Sequence, residues 1–282
     1  MKSVVIIPCW RRPEFLGACL ELIKRAEGWE NYHYLFAIDR MADKQIRPLI
    51  DAFTGEKTII HAVHKWHGNS TNLIRAYVRA HEIGGELTFL IEEDIFIGRD
   101  FFTFHEQVHT EFNTFFVTAC RNQMDLSQSG TDASGLFEFG RYQSLGISFK
   151  TANLSKIIIH DSTHYYSNRT RYLRRLFPKS SFGDSNTEQD GLICRIMEAE
   201  GLTGMFPQVA RAFHAGFYGY NRPGLKIVEK NLSLQDKIKL LLEMPESEMN
   251  SRAIRMKDIA RCELSQVHKV DKFHINDPRN PK

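Results

Sequence analysis

Along the first hundred residues, short unbroken apolar runs alternate with stretches of helical spacing. Residues 3–7 carry the β-branched run Val4-Val5-Ile6-Ile7, stopped by Pro8 and the polar Trp10-Arg11-Arg12-Pro13. This predicts a buried, parallel strand that ends in a loop. Over 13–26, Phe15, Leu16, Leu20, Leu22 and Ile23 recur near helical spacing, and Pro13 and Glu14 suit a first helical turn. Residues 32–38 and 58–63 predict two more strands, with a helix over 44–53 between them. A helix over 71–83 and a strand over 87–91 follow. The order β-α-β-α-β-α-β, with crossover-sized connections, predicts a parallel sheet covered by helices on both faces. Ligands of such sheets bind at the carboxyl ends of the strands. Arg11, Asp39, residues 64–69 and residues 92–94 fall at those ends.

The second half is less regular. Strands are expected over 115–120 and 204–213, a strand pair broken at Gly140 over 137–149, and helices over 153–160 and 187–200. Residues 122–134 read as a polar loop and 180–186 as a flexible one, while 225–267 is charged and helical before a polar tail.

Composition narrows the class. The chain has 282 residues, 42% hydrophobic and 25% charged, which excludes disordered, collagen-like and mucin-like proteins. Its apolar runs fall short of the ~18–20 residues of a membrane span. The start lacks the apolar core of a signal peptide, so the chain is expected to be cytoplasmic. Five scattered cysteines with no C-x-x-C spacing predict buried, reduced thiols. The net charge of +3 excludes a histone-like binder and leaves an anionic substrate open.

The sharpest chemical feature is Glu92-Glu93-Asp94 directly after an apolar run. Three adjacent acids repel one another, and a divalent cation such as Mg²⁺ or Mn²⁺ gives them a purpose. The competing explanation is a solvated acidic turn before a helix N-terminus. A second acidic cluster, Thr187-Glu188-Gln189-Asp190, opens a predicted helix. A third candidate element is Arg211-Ala212-Phe213-His214-Ala215-Gly216-Phe217-Tyr218-Gly219, where the glycines let backbone approach a ligand. His61, His64 and His67 read as loop residues, and His214 is the one histidine assigned to a metal. Residues 165–179 combine tyrosines with Arg169, Arg171, Arg174 and Arg175, which suits an anionic glycan or a nucleic-acid strand, or else a solvated helix face.

The stretch from Leu87 through Glu92-Glu93-Asp94 to Asp100-Phe101-Phe102 resembles the acidic metal motif of GT-A glycosyltransferases, above all the N-acetylglucosaminyltransferase I family. The opening Val4-Val5-Ile6-Ile7-Pro8-Cys9-Trp10-Arg11-Arg12-Pro13 resembles the start of glycosyltransferase family 2. The resemblance implies a GT-A, Rossmann-like α/β fold with a mainly parallel sheet. Residues 1–224 would be the transferase domain, with a nucleotide-binding half 1–105 and an acceptor half 106–224, and 225–282 a helical extension. It implies a UDP-sugar donor met by Pro8, Arg11, Asp39, Asn72, Glu92 and Glu93, with a Mn²⁺ or Mg²⁺ cofactor held by Asp94 and His214. Arg12 is read first as a solvated loop residue. The middle acid here is Glu93 where the family has Asp, which leaves the ribose contacts open. An inverting transfer needs a carboxylate base. Asp190 is the first choice and Glu188 the second; alignment on Arg195 would put Gln189 there, and Asp184 is a third acid. The implied function is sugar transfer to an acceptor hydroxyl on a saccharide or glycan. The alternatives are a hydroxymethylated pyrimidine in DNA as acceptor, a nucleotidyltransferase, and a catalytically silent binding module.

Overall fold

The computed structural model describes residues 1–62, 68–120, 132–216, 232–243 and 266–276. The strands are β1 (Val4–Cys9), β2 (His33–Ile38), β3 (Lys57–His61), β4 (Leu87–Leu90), β5 (Ile95–Ile97), β6 (Phe116–Thr118), β7 (Gly135–Phe139), β8 (Ile147–Lys150), β9 (Gly204–Pro207), β10 (Ala212–His214) and β11 (His274–Ile275). The helices are α1 (Pro13–Ile23), α2 (Ile46–Ala52), α3 (Asn69–Ile83), α4 (Phe101–Glu111), α5 (Ser155–Ile158), α6 (Thr163–Ser167), α7 (Arg169–Leu176), α8 (Gln189–Glu200) and α9 (Leu234–Glu243).

Nine strands form one sheet in the order β11-β7-β9-β6-β8-β4-β1-β2-β3. β3, β2, β1 and β4 run parallel, as the four apolar runs predict. β8 is antiparallel to both β4 and β6, and β7 is antiparallel to β9. All six residues of β1 are buried, which is why its sequence is continuously apolar. Val5 and Ile7 face one core layer with α1, α2, α4 and α9. Val4 and Ile6 face the other, with α3, α5, α7 and α8. The protein is thus a helix–sheet–helix sandwich.

Two expectations change. The strands within 137–149 form but do not pair with each other, because β7 lies between β11 and β9, and β8 between β4 and β6. Their connection dips into the core: Tyr142 is buried, its hydroxyl lies 3.1 Å from that of Tyr77, and its ring stacks on Phe149. The strand expected over 204–213 is split. Its first half, β9, joins the main sheet, and its second half, β10, leaves to pair antiparallel with β5. The expected loop over 180–186 is pinned rather than free. The buried Arg195 guanidinium donates to the carbonyls of Gly183, Ser185, Asn186 and Gly191 at 2.7–2.9 Å. Cys9, Cys19, Cys120 and Cys194 are buried and free, as expected. Among the described residues no helix is long and apolar enough to cross a membrane. Most of the loop at 64–69, most of that at 122–134, residues 217–219, and most of 225–267 lie outside the described residues.

Candidate functional site

β1, β2 and β4 end side by side, and their carboxyl ends floor a cavity of about 810 Å³. Pro8, Asp39, Asn72, Glu92, Glu93, Asp94, Glu188, Asp190 and His214 all line it. They are nine of the ten site residues read from the sequence. The tenth, Arg11, points elsewhere: it is exposed, donates to the Met41 carbonyl at 3.1 Å and lies over the Trp10 ring. Arg12 takes its place and corrects the solvated reading. Its Nε donates to Glu93 Oε1 at 2.8 Å and its Nη1 to Asp94 Oδ2 at 2.7 Å. Arg169, Ser144 and Asn186 also line the cavity, and nothing in the sequence singled out the last two.

The acidic turn joins β4 to β5, closed by the Ile95 N–H on the Glu92 carbonyl. The unexpected β5–β10 pair sets His214 opposite Ile95, and the Ala215 N–H bonds the Asp94 carbonyl at 2.8 Å. His214 Nε2 therefore lies 3.0 Å from Asp94 Oδ2. A Cβ on Gly216 would stand 2.3 Å from that oxygen and 2.5 Å from that nitrogen, so a larger residue there would force the pair to shift. Burial works against Asp94's charge, but the hydrogen bond and charge of His214 and the Arg12 guanidinium hold its carboxyl well below the usual range. Burial pushes Glu93 up to about 7 despite Arg12 and the Trp10 N–H. Burial, then the charges of Asp94 and Asp190, also raise Glu92 well above the usual carboxylate range. Asp39 caps its own turn through the Met41 N–H at 2.9 Å and also lines a smaller cavity of about 410 Å³ beside His61. Asn72 is buried, and its amide donates to the Ala37 carbonyl at the end of β2.

The second acidic cluster sorts itself by environment. Glu188 is exposed and already engaged: it pairs with Arg169 at 2.6 Å and accepts a hydrogen bond from the Ser70 hydroxyl. Asp184 is also exposed, pairs with Arg174 and does not line the cavity. Gln189 is buried, and its amide nitrogen donates to Asp190 Oδ1 at 2.8 Å. Burial raises Asp190 to about 6; the Gln189 hydrogen bond opposes that shift and the Glu188 charge adds to it. Asn186, φ 48, is held in the left-handed region by the Arg195 clamp at the cavity rim.

The sequence also holds a pair of histidines at helical metal spacing, His105-Glu106-Gln107-Val108-His109, which the sequence reading missed. On α4 both imidazoles turn inward to the Ser148 hydroxyl, at 2.6 and 2.9 Å, and Glu106 turns to the Tyr32 hydroxyl. Burial lowers both histidines, His109 to about 4, so they are neutral packing groups. Among the described residues no three His, Cys, Asp or Glu side chains stand together as a metal cluster. Asp94 and His214 are a two-residue set, and hard oxygen with imidazole suits Mn²⁺ or Mg²⁺ when a ligand's oxygens complete the shell.

No protein-family model and no curated protein sequence matches the chain. Solved structures do. It superposes on the Staphylococcus aureus TarS fragment 1–349 with a TM-score of 0.51 at 12% identity, over 76% of this chain and 60% of that one. Against the mannosyltransferase PcManGT of Pyrobaculum calidifontis, solved with GDP-Man and Mn²⁺, the TM-score is 0.46 at 11% identity over 74% and 57%. A cytidylyltransferase of Leptospira borgpetersenii gives 0.44 at 13% identity over 95% and 100%. The chain thus spans about three-fifths of the length of the TarS and PcManGT chains. The fold is of the GT-A type.

Proposed function

We propose that this protein is a metal-dependent glycosyltransferase that moves a sugar from a UDP-sugar to an acceptor hydroxyl on a saccharide or glycan, with inversion. One observation carries the reading: residues from six separate stretches of sequence line one cavity at the carboxyl ends of parallel strands. The cavity volume suits a small-molecule donor. Its wall holds the acids Asp39, Glu92, Glu93, Asp94, Glu188 and Asp190 against the guanidiniums of Arg12 and Arg169. A diphosphate entering such a wall needs a further cation, and Asp94 with His214 would hold it. A divalent cation there supplies positive charge to the diphosphate leaving group.

The other residues divide the remaining work. Asp190, half-buried and hydrogen-bonded to Gln189, takes the proton from the acceptor hydroxyl. Glu188, tied to Arg169 and Ser70, orders the start of α8 instead. Asp39 and Glu92 meet the nucleoside; Glu93 is committed to the end of β1 through both oxygens. The arginine-rich α7 gives two of its charges to Glu188 and Asp184, which favours a glycan acceptor over a DNA strand.

The test is thermal stabilisation by nucleotides and nucleotide-sugars, with and without Mn²⁺. A Mn²⁺-dependent rise in Tm with UDP or a UDP-sugar, lost in Asp94→Ala, is expected. No rise with any nucleoside diphosphate overturns the donor assignment. A rise with nucleoside triphosphates alone points to nucleotidyl transfer.

A further inference from the structure

Asp94 Oδ2 is engaged twice. Arg12 Nη1 donates to it at 2.7 Å, and His214 Nε2 lies 3.0 Å from the same atom. A divalent ion set between Asp94 Oδ2 and His214 Nε2 meets the oxygen that Arg12 Nη1 occupies, and ion and guanidinium repel at contact distance. Glu93 is placed differently. Its Oε2 accepts the Trp10 N–H at 3.0 Å and its Oε1 accepts Arg12 Nε at 2.8 Å. These two attachments of Arg12 differ in kind. Nε is tied to Glu93, which also anchors the Trp10 N–H, and Nη1 to the carboxylate proposed for the cation. Loss of the Nη1 contact to Asp94 would leave the guanidinium tied to Glu93 through Nε.

We infer that Arg12 is the chain's own counter-ion for Asp94 and competes with the divalent cation for it, with Glu93 as the tether that keeps the guanidinium at the site. This rests on the reading of Asp94 as a cation ligand. The competition weakens cation binding by the chain alone. It favours cation and nucleotide together, because the displaced Nη atoms then face an anion: each ligand strengthens the other. It also gives the middle acid a reason to be Glu, whose longer side chain reaches back to Trp10 and Arg12 at the end of β1.

The experiment is Mn²⁺ binding to the full-length chain without nucleotide, read from the electron paramagnetic resonance signal of free Mn²⁺. Arg12→Gln is expected to bind Mn²⁺ roughly tenfold or more tightly than the wild type, on the scale of a close charge pair. Arg12→Lys keeps the charge but lacks the fork, and is expected to fall between. His214→Ala on the Arg12→Gln background is expected to lose the gain. UDP should raise Mn²⁺ affinity more in the wild type than in Arg12→Gln. If Arg12→Gln fails to fold, the Arg12→Lys titration carries the test. Mn²⁺ binding by folded variants no tighter than wild type overturns the inference. Absence of Mn²⁺ binding in every protein, with UDP still stabilising the chain, overturns both the inference and the metal assignment but leaves the nucleotide site standing.

Discussion

Asp190 and Glu188 lie two residues apart at the start of α8, and only their surroundings separate them. Glu188 is exposed and paired with Arg169, whereas Asp190 is raised to about 6 by burial. A carboxylate that must accept a proton works above its pKa. The kcat/KM for transfer should therefore fall below about pH 6, approaching tenfold per pH unit, and hold above it until another group titrates. Asp190→Asn removes the proposed base and should lower kcat by about 10²–10⁴ with donor affinity little changed, as read from initial rates and UDP titration. Glu188→Gln should cost far less, because Arg169 and Ser70 hold that carboxylate away from proton transfer. Loss of activity in Glu188→Gln equal to that in Asp190→Asn would exchange the two roles. The acids themselves were legible, since three in a row after an apolar strand have no packing purpose. The choice between Arg11 and Arg12 was not. They are chemically identical neighbours, and the turn after β1 alone sends one to Met41 and the other to the acidic pair.

At the scale of elements, legibility followed the physical origin of each signal. β1, β2 and β4 are interior strands buried on both faces, so each writes a nearly continuous apolar run, whereas β3, at the sheet edge, is only half-buried and mixes Ile59 and Ile60 with polar residues. β5 is three residues long, and β10 exists only because it pairs with β5, so their register was not visible. That pairing places His214 on Asp94, which explains why the sequence named both residues without showing how they meet. The start of α8 shows the same dependence on contacts. A Cβ on Gly191 would stand 1.6 Å from the Asn186 carbonyl, which Arg195 also holds. Gly191→Ala must push the 183–186 turn away from the helix, at about 1–3 kcal/mol. Equilibrium denaturation should register that loss, and hydrogen exchange should quicken in residues 183–191. Unchanged exchange there would show that the clamp does not order the cavity rim.

Across the whole molecule, the two faces of one sheet carry different tasks. The face with α3 and α8 brings the second acidic cluster to the cavity, through Ser70 on α3 bonding the Gln189 N–H. The other face joins the chain's distant parts. Ile238 and Leu241 of α9 are buried in the same core as Val5 and Ile7, and Phe273 packs edge-on against Phe104 of α4. α9 lies on α1 so closely that a Cβ on Gly17 would stand 2.2 Å from Ile238 Cδ1. Alanine normally stabilises a helix interior relative to glycine, by roughly 0.5–1 kcal/mol. Here Gly17→Ala should instead destabilise, because the added methyl meets a β-branched side chain with little freedom to turn. Ile238→Ala should cost about 2–5 kcal/mol through the cavity it leaves. In the double variant the Gly17→Ala methyl enters that space, so the combined loss should be smaller than the sum of the single losses, by at least ~0.5 kcal/mol. Strict additivity in denaturant titrations would mean that α9 does not rest on α1 in solution. A coupled pair would tie α9 to the helix that follows β1, the strand whose end carries Arg12.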